Sequence, residues 1–87
     1  MLRIFYSSKF EREYRRIPER IKEIAEEKEW IFRADPHDPR LHTHQLSGRL
    51  KRHHAFSINQ KYRIIFEFAT RETIWFHSIG DHSIYEQ

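Results

Sequence analysis

The spacing of the hydrophobic residues changes once along this chain of 87 residues, from a helical period to strict alternation. Residues 2–6 are rich in β-formers and predict a first strand. Helical spacing then continues to about Arg33, and alternation begins near His54. The order β-α-α-β-β-β predicts an α+β fold in which two N-terminal helices pack on one face of a four-stranded, mostly antiparallel sheet.

Local signals divide the helical half into two helices. Ser8 and Glu11 have the spacing of a capping box, which predicts the start of the first helix. Pro18 ends that helix, because the residue before a proline is disfavoured in the α region, and it suits the first turn of the second. The exposed face of the second helix is expected to carry two i,i+4 ion pairs: Lys22 with Glu26, and Glu29 with Arg33.

Three alternating segments follow, and each predicts a strand with one face beneath the helices. The residues assigned to that buried face are His54, Phe56 and Ile58, then Tyr62, Ile64, Phe66 and Phe68, and finally Ile74, Phe76 and Ser78. The opposite parity places Lys61 and Arg63 on an open face. The segment from Asp35 to about Leu50 has no clear period, and a loop of this length predicts either a function or a short hidden turn.

Length and composition restrict the class of protein. Eighty-seven residues are enough for one domain, which we assign to residues 1–87. Aromatic residues make up 15% of the chain, which is too many for a disordered protein. The absence of cysteine excludes disulfides, cysteine-ligated zinc and cysteine nucleophiles. Neither a membrane-spanning run nor a signal peptide is recognisable, so we expect a soluble, cytoplasmic protein.

Positive charge is concentrated in the second half of the chain, although the net charge is only +3. Between Arg40 and Phe66 there are six Lys or Arg residues and no Asp or Glu. Four of the seven histidines lie in the same stretch. A basic segment with interleaved aromatic residues suits a polyanion such as a nucleic acid, whereas a solvated basic face is the simpler interpretation of a run this short.

Four short segments of the second half share their order and spacing with a known group of proteins. They read His44-Gln-Leu46-Ser-Gly48-Arg-Leu50, Phe56-Ser-Ile58, Lys61-Tyr-Arg63-Ile-Ile-Phe66 and Ile79-Gly80-Asp-His82-Ser-Ile-Tyr85. Together they resemble the RelE/ParE toxin superfamily, and most closely its YafQ/YoeB-like mRNA interferase branch. The resemblance covers nearly the whole chain, including the helical hairpin, and implies a RelE-like fold.

The resemblance implies the toxin of a type II toxin–antitoxin pair. Such a toxin is a metal-independent endoribonuclease that cleaves mRNA, usually in the ribosomal A site, and thereby inhibits translation. Its expected partners are a cognate antitoxin, mRNA and the ribosome. No cofactor, metal or membrane partner is expected.

The resemblance also assigns a set of site residues. His82 and His44 match the histidines that transfer protons, with His82 the first choice. The carboxylate of the adjacent Asp81 predicts that His82 is a proton donor. Arg63 matches the arginine that holds the scissile phosphate, and Tyr85 an aromatic residue that stacks on a base or assists proton transfer. These residue types suit RNA cleavage by the 2′-OH, because imidazole exchanges protons near neutral pH and a guanidinium neutralises a phosphorane. Further contacts with RNA are expected from Arg49, Lys51, Arg52, His54 and Lys61.

Three other interpretations stay open. A ParE-like protein of the same fold would inhibit DNA gyrase without hydrolysis, and a catalytically inactive homologue would only bind nucleic acid. Alternatively, His42 and His44 with His53 or His54 would supply three zinc ligands. Six fixed positive charges and the lack of a carboxylate in the same stretch of sequence oppose a metal ion there.

Overall fold

A five-stranded mixed sheet forms the centre of the structure, a computed structural model that describes residues 2–86. Its strands are β1 (Arg3–Tyr6), β2 (His44–Gln45), β3 (His54–Ser57), β4 (Arg63–Phe68) and β5 (Thr73–Gly80). They lie in the order β1-β5-β4-β3-β2. β1 is parallel to β5, and the other neighbours are antiparallel. The α+β class is confirmed, but the prediction of four strands is wrong by one.

The additional strand, β2, lies in the segment that has no sequence period. It pairs with the start of β3 over two residues, His44 opposite Ala55 and Gln45 opposite His54. Two residues are too few for alternation to be recognised, so only the tertiary pairing defines this strand. The same segment also contains two short 3₁₀ turns, at Pro39–Leu41 and Gly48–Leu50.

Two helices cover one face of the sheet: α1 (Ser8–Arg15) and α2 (Glu19–Ala34). α1 is capped by Ser7, whose Oγ accepts a hydrogen bond from the Phe10 amide at 3.0 Å. The capping box predicted from Ser8 and Glu11 is therefore wrong by one residue, since Ser7 already has the extended backbone of an N-cap. Within residues 2–86, no helix has the length and apolar character needed to cross a membrane.

Of the two ion pairs expected on the exposed face of α2, one is present. Glu29 Oε2 lies 3.0 Å from Arg33 Nη2. Lys22 pairs one turn earlier with Glu19, at 3.3 Å, and not with Glu26. Surface pairs of this kind each contribute a few tenths of a kcal/mol, so the position of α2 depends mainly on its buried face.

That buried face places Phe32 at the centre of the core. Its ring centre lies 4.9 Å from those of Phe56 and Phe66, and 5.4 Å from that of Phe76. All four side chains are fully buried. Aromatic pairs in this range add about 0.5–1.5 kcal/mol each beyond the burial of their surface. The cluster therefore fixes α2 on strands β3, β4 and β5.

A β-bulge between β4 and β5 changes which side chains face the helices. Phe66 pairs with Phe76, and the next pair is Ile65 with Ser78, so His77 is an extra residue on β5. Ser78 therefore lies with Ile65 on the side of the sheet away from the helices. The prediction that Ser78 lies beneath the helices is wrong, because strict alternation assumes an uninterrupted register.

The pairing of β1 with β5 ends at Phe76, and beyond this residue α1 and its N-cap form hydrogen bonds with the edge of β5. The Ser7 hydroxyl donates a hydrogen bond to the His77 carbonyl at 3.0 Å. One helical turn and a half later, Glu13 accepts hydrogen bonds from the Ile79 amide at 3.1 Å and from the Ser78 hydroxyl at 2.8 Å. Side chains of a helix thus satisfy polar groups of the strand where a neighbouring strand would otherwise do so.

The face of the sheet opposite the helices, here called the far face, is only partly open. Three buried residues form a small second core on it and three half-buried residues surround them: Ala55, Ile65 and Ile84, then Leu46, Leu50 and Tyr85. Ile84 and Tyr85 belong to a C-terminal 3₁₀ turn, His82–Glu86, which folds back over the sheet. Strand parity predicts which side chains point to this face, but it contains no information on the segments that cover it.

Replacing Phe32 with alanine is expected to lower the free energy of unfolding by about 3–5 kcal/mol, because the change leaves a cavity among three packed rings. Trp30 is the matched control, since it lies on the same helix and is 76% exposed. Trp30→Ala is expected to change the same free energy by less than about 0.5 kcal/mol. Urea denaturation followed by circular dichroism measures both. Equal losses in the two variants would contradict the assignment of the core.

Candidate active site

Arg63 is the first residue of β4 and lies on the far face, between Ser57 of β3 and Gly80 of β5. It faces away from the helices, as strand parity predicts, but it begins the strand and does not stand in its middle. Nη1 donates hydrogen bonds to the backbone carbonyls of Asn59 and Tyr62, the latter at 3.1 Å. Both bonds use the same nitrogen, and the Tyr85 hydroxyl lies close to the same guanidinium. A guanidinium has five N–H donors, so donors remain for a ligand such as a phosphate.

A groove of about 450 Å³ connects Arg63 with the segment that contains β2. Among the described residues, the ionisable side chains that line it are all basic: Lys28, Arg40, His42, His44 and Arg63. Arg40 is bound to Asp38 by hydrogen bonds of 3.0 Å and 2.9 Å, which compensates its charge. A groove lined in this way has a positive potential and attracts anions.

The imidazole of His44 lies at this groove in a defined orientation. His44 pairs with Ala55, so its side chain is on the far face. Its Nδ1 lies 3.0 Å from the His42 carbonyl oxygen. Since a carbonyl only accepts hydrogen bonds, Nδ1 carries the proton in this contact. In the neutral ring Nε2 is then unprotonated, which is the form that a general base requires.

Tyr85 lies close to both Arg63 and His82. It is half-buried on the far face, and burial raises the pKa of its hydroxyl, although the nearby Arg63 guanidinium acts in the opposite direction. The ring centres of Tyr85 and His82 are 6.2 Å apart. His82 itself is exposed. Tyr85 is thus close to both Arg63 and His82, and the fourth residue assigned to catalysis, His44, lines the same groove as Arg63.

Gly80 allows the C-terminal turn to approach the sheet so closely. A Cβ atom at this position would lie 2.5 Å from Cγ2 of Ile84, which is closer than packed carbon atoms come. The turn is also held by Asp81, whose carboxylate accepts a hydrogen bond from the Ser83 amide at 3.0 Å. That hydrogen bond lowers the pKa of Asp81, so the carboxylate next to His82 is ionised at neutral pH.

The cations expected to contact RNA are at the surface. Arg49, Lys51 and Arg52 are exposed on the turn between β2 and β3. Lys61 is exposed on the turn between β3 and β4, with its Nζ 5.5 Å from the centre of the Tyr62 ring. They differ from Arg63 in lying on loops, so they suit contacts with the nucleic-acid backbone better than the positioning of one phosphate.

His54, the fifth residue expected to contact RNA, does not lie on the far face. It pairs with Phe66, and its ring packs 5.6 Å from that of Phe66 and 5.1 Å from that of Phe68, on the helix side. Burial lowers the pKa of His54, which favours the neutral ring. The prediction that His54 contacts RNA from the far face is therefore wrong. Neighbouring residues of a strand point to opposite faces, and His54 points to the face covered by the helices.

Sequence reasoning missed one cluster of ionisable groups on the far face. His53, Glu67 and His77 place three possible metal-ligand atoms within 4.8 Å of one another. Burial lowers the pKa of His53, and the neighbouring His77 acts in the same direction. The zinc site considered from the sequence is not formed, since among residues 2–86 neither His42 nor His44 belongs to a group of metal-ligand atoms with His53 or His54. No spacing motif marks the observed cluster, because its members come from three separate strands or turns.

Comparison with known proteins identifies the fold. No protein-family model and no curated protein sequence matches the chain. The crystal structure of YafQ from E. coli BL21(DE3) superimposes with a TM-score of 0.81 over 100% of both chains, at 14% identity. A YoeB/ParE toxin from Agrobacterium tumefaciens gives a TM-score of 0.77 at 12% identity, with 93% of this chain and 99% of that chain covered. The E. coli DinJ–YafQ toxin–antitoxin complex gives 0.67 at 17% identity, with 95% and 94% covered. The chain therefore has the fold of the YafQ and YoeB/ParE toxins, and the resemblance to the RelE/ParE superfamily is confirmed at the level of the fold.

Proposed function

We propose that this protein is the toxin of a type II toxin–antitoxin pair and cleaves mRNA as a metal-independent endoribonuclease. The observation that carries the proposal is the position of the Arg63 guanidinium. It is held by a backbone carbonyl, lines a basic groove together with His44, and lies close to the Tyr85 hydroxyl. The toxin–antitoxin complex among the proteins of the same fold supports a cognate antitoxin as partner. The mRNA substrate and the ribosome follow from the sequence resemblance.

Cleavage of RNA without a metal ion requires three catalytic functions from a protein. A base removes the proton from the 2′-OH, which attacks the adjacent phosphorus. A positive group stabilises the pentacoordinate phosphorane, and an acid gives a proton to the departing 5′-oxygen. Each proton transfer contributes about 10²–10⁴-fold to the rate.

Arg63 is the group that stabilises the phosphorane in this scheme. Two backbone carbonyls fix its orientation before substrate arrives, so little reorganisation is needed as charge develops. A guanidinium stays protonated at every physiological pH and forms bidentate hydrogen bonds with phosphate oxygens. The RNA phosphate would therefore bind at the junction of the groove and the C-terminal turn.

The two histidines lie on different sides of Arg63, as an acid and a base in such a reaction must. His44 belongs to β2, whereas His82 follows β5, and β4 with Arg63 lies between these strands. His44 presents Nε2 in the neutral ring and is assigned as the base. His82 is assigned as the acid, because it lies on the side of Arg63 opposite His44. Tyr85 keeps its proton at neutral pH and supports the leaving-group side, by stacking on a base or by donating a hydrogen bond.

The proposal predicts that Arg63→Ala lowers the rate of mRNA cleavage by about 10²–10³-fold, because a preorganised donor to the transition state is lost. Arg71 is the matched control, since it is an exposed arginine on the turn between β4 and β5. Arg71→Ala is expected to keep full activity in a translating extract. Equal cleavage by the two variants would reject the assigned role of Arg63. Gyrase-dependent DNA breaks with intact mRNA would instead select the ParE-like alternative.

The position of the C-terminal turn gives a second prediction. Gly80→Ala is expected to reduce cleavage at least about tenfold, because the added methyl group collides with Ile84 and moves His82 and Tyr85 away from Arg63. Removing the collision should restore activity in part, so Gly80→Ala combined with Ile84→Ala is expected to exceed Gly80→Ala alone. A double variant that is less active than both single variants would contradict this account of the turn.

Binding of RNA by the exposed cations gives a third prediction. With His44→Gln used to prevent cleavage, the logarithm of the binding constant should fall with the logarithm of salt concentration at a slope of about −3 for four phosphate contacts. Lys51→Ala in that background should reduce the slope by about 0.7 in magnitude, whereas Arg71→Ala should leave it unchanged. Fluorescence anisotropy with a short single-stranded RNA measures the slope. A slope that does not respond to Lys51 would remove the turn between β2 and β3 from the RNA site.

A further inference from the structure

The far face holds a second cluster of functional groups, separate from the proposed cleavage site. Nε2 of His77 lies 2.9 Å from Oε1 of Glu67. The ring centre of His53 lies 4.9 Å from that of His77, and the rings are inclined by 72°. One possible ligand atom from each residue lies within 4.8 Å of the other two. Two imidazoles and one carboxylate thus converge on a single point.

The separation of the two rings fits a shared metal ion. An imidazole nitrogen binds zinc at about 2.0–2.1 Å, which puts two ring centres about 5 Å apart when their nitrogens occupy two corners of a tetrahedron. The observed 4.9 Å agrees with this distance. In addition, Nδ1 of His53 is buried and has no hydrogen-bond partner among residues 2–86. A buried imidazole nitrogen without a partner is costly, and coordination is one way to satisfy it.

The surroundings leave room for an ion and compensate the nearest positive charge. His53 and His77 line a cavity of about 310 Å³ on the far face, together with Lys9 and Ser78. Lys9 would repel a cation, but its Nζ lies 3.5 Å from a Glu13 carboxylate oxygen and 3.2 Å from the Ser78 hydroxyl. A water molecule in this cavity would be the fourth ligand of a tetrahedral set, because His53 and His77 both line it.

We propose that His53, Glu67 and His77 bind one Zn²⁺ ion, which joins the basic turn before β3 to the bulge of β5. Glu67 is four residues from Arg63 along β4, a distance of about 13 Å at the usual rise per residue. The ion therefore takes no part in the cleavage proposed above, and this inference does not depend on that proposal. When zinc binds, it replaces the proton between His77 Nε2 and Glu67 Oε1, and that proton passes to solvent.

The three ligands lie far apart in sequence, and this gives the ion its structural effect. His53 ends the turn that presents Arg49, Lys51 and Arg52, whereas Glu67 and His77 belong to the neighbouring strands β4 and β5. A metal bound by all three would attach that turn to the rigid part of the sheet. Zinc would thereby order the exposed cations that are expected to contact RNA.

Isothermal titration of the full chain with zinc chloride, after treatment with EDTA and dialysis, tests the proposal. One ion per chain is expected to bind, and the melting temperature should rise by at least about 10 °C at zinc concentrations a hundred times the dissociation constant. His53→Gln, Glu67→Gln and His77→Gln should each weaken binding at least about tenfold. His37→Gln is the control, because His37 is an exposed histidine outside the cluster, and it should bind zinc as the wild type does.

Limited digestion with trypsin supplies a readout that does not depend on the variants folding well. Zinc should slow cleavage of the wild-type chain after Arg49, Lys51 and Arg52, and leave cleavage after Arg71 unchanged. Absence of zinc binding by the wild type would overturn the proposal. So would binding that persists in all three cluster variants, or binding that His37→Gln weakens as much as they do.

Discussion

His77, the single extra residue in β5, determines which side chains of this strand lie on each face of the sheet. With Ile65 opposite Ser78 and Phe66 opposite Phe76, His77 is left over as a bulge. An uninterrupted strand would have to place Ile79 on the same side as His77, since side chains alternate. The bulge instead returns Ile79 to the core beneath the helices.

The same irregularity positions the residues of both candidate sites on the far face. Beyond the bulge, the register puts Gly80 opposite Arg63, and the chain can then turn back over the sheet. At the bulge itself, His77 comes within hydrogen-bond distance of Glu67. One face of the sheet thus packs around Phe32, and the other carries the small second core with polar groups beside it. Arg63, Glu67 and His77 lie on strands, which keep side chains in place more precisely than loops do.

Much of this arrangement could be predicted from the sequence, because it depends on local patterns. The helical hairpin, the three strands β3 to β5 and the outward direction of Arg63 all follow from periodicity. The four sequence motifs indicated a RelE-like fold. The comparison with YafQ supports that fold, although the sequence identity is only 14%.

Other features could not be predicted, because they depend on contacts between distant parts of the chain. β2 is two residues long and exists only through its pairing with β3. Ser7 caps α1 in place of Ser8, a shift of one residue that spacing does not distinguish. The convergence of His53 with His77 requires the register of the whole sheet, including the bulge in β5. Residues that come together from distant parts of the chain have no fixed spacing in the sequence, so no motif identifies them.

In the proposed reaction the protein supplies all the catalytic groups and the substrate supplies the nucleophile. Its most direct test is the cleavage of a defined mRNA, in a translating extract, compared with the same mRNA carrying a single 2′-deoxynucleotide at the position of the cut. The deoxy substitution is expected to abolish cleavage at that position. The protein, stripped of metal with EDTA before it is added, should still cut the unmodified mRNA. Cleavage of the deoxy-substituted mRNA at the same position, or loss of all cutting after removal of metal from the protein, would contradict the proposed reaction.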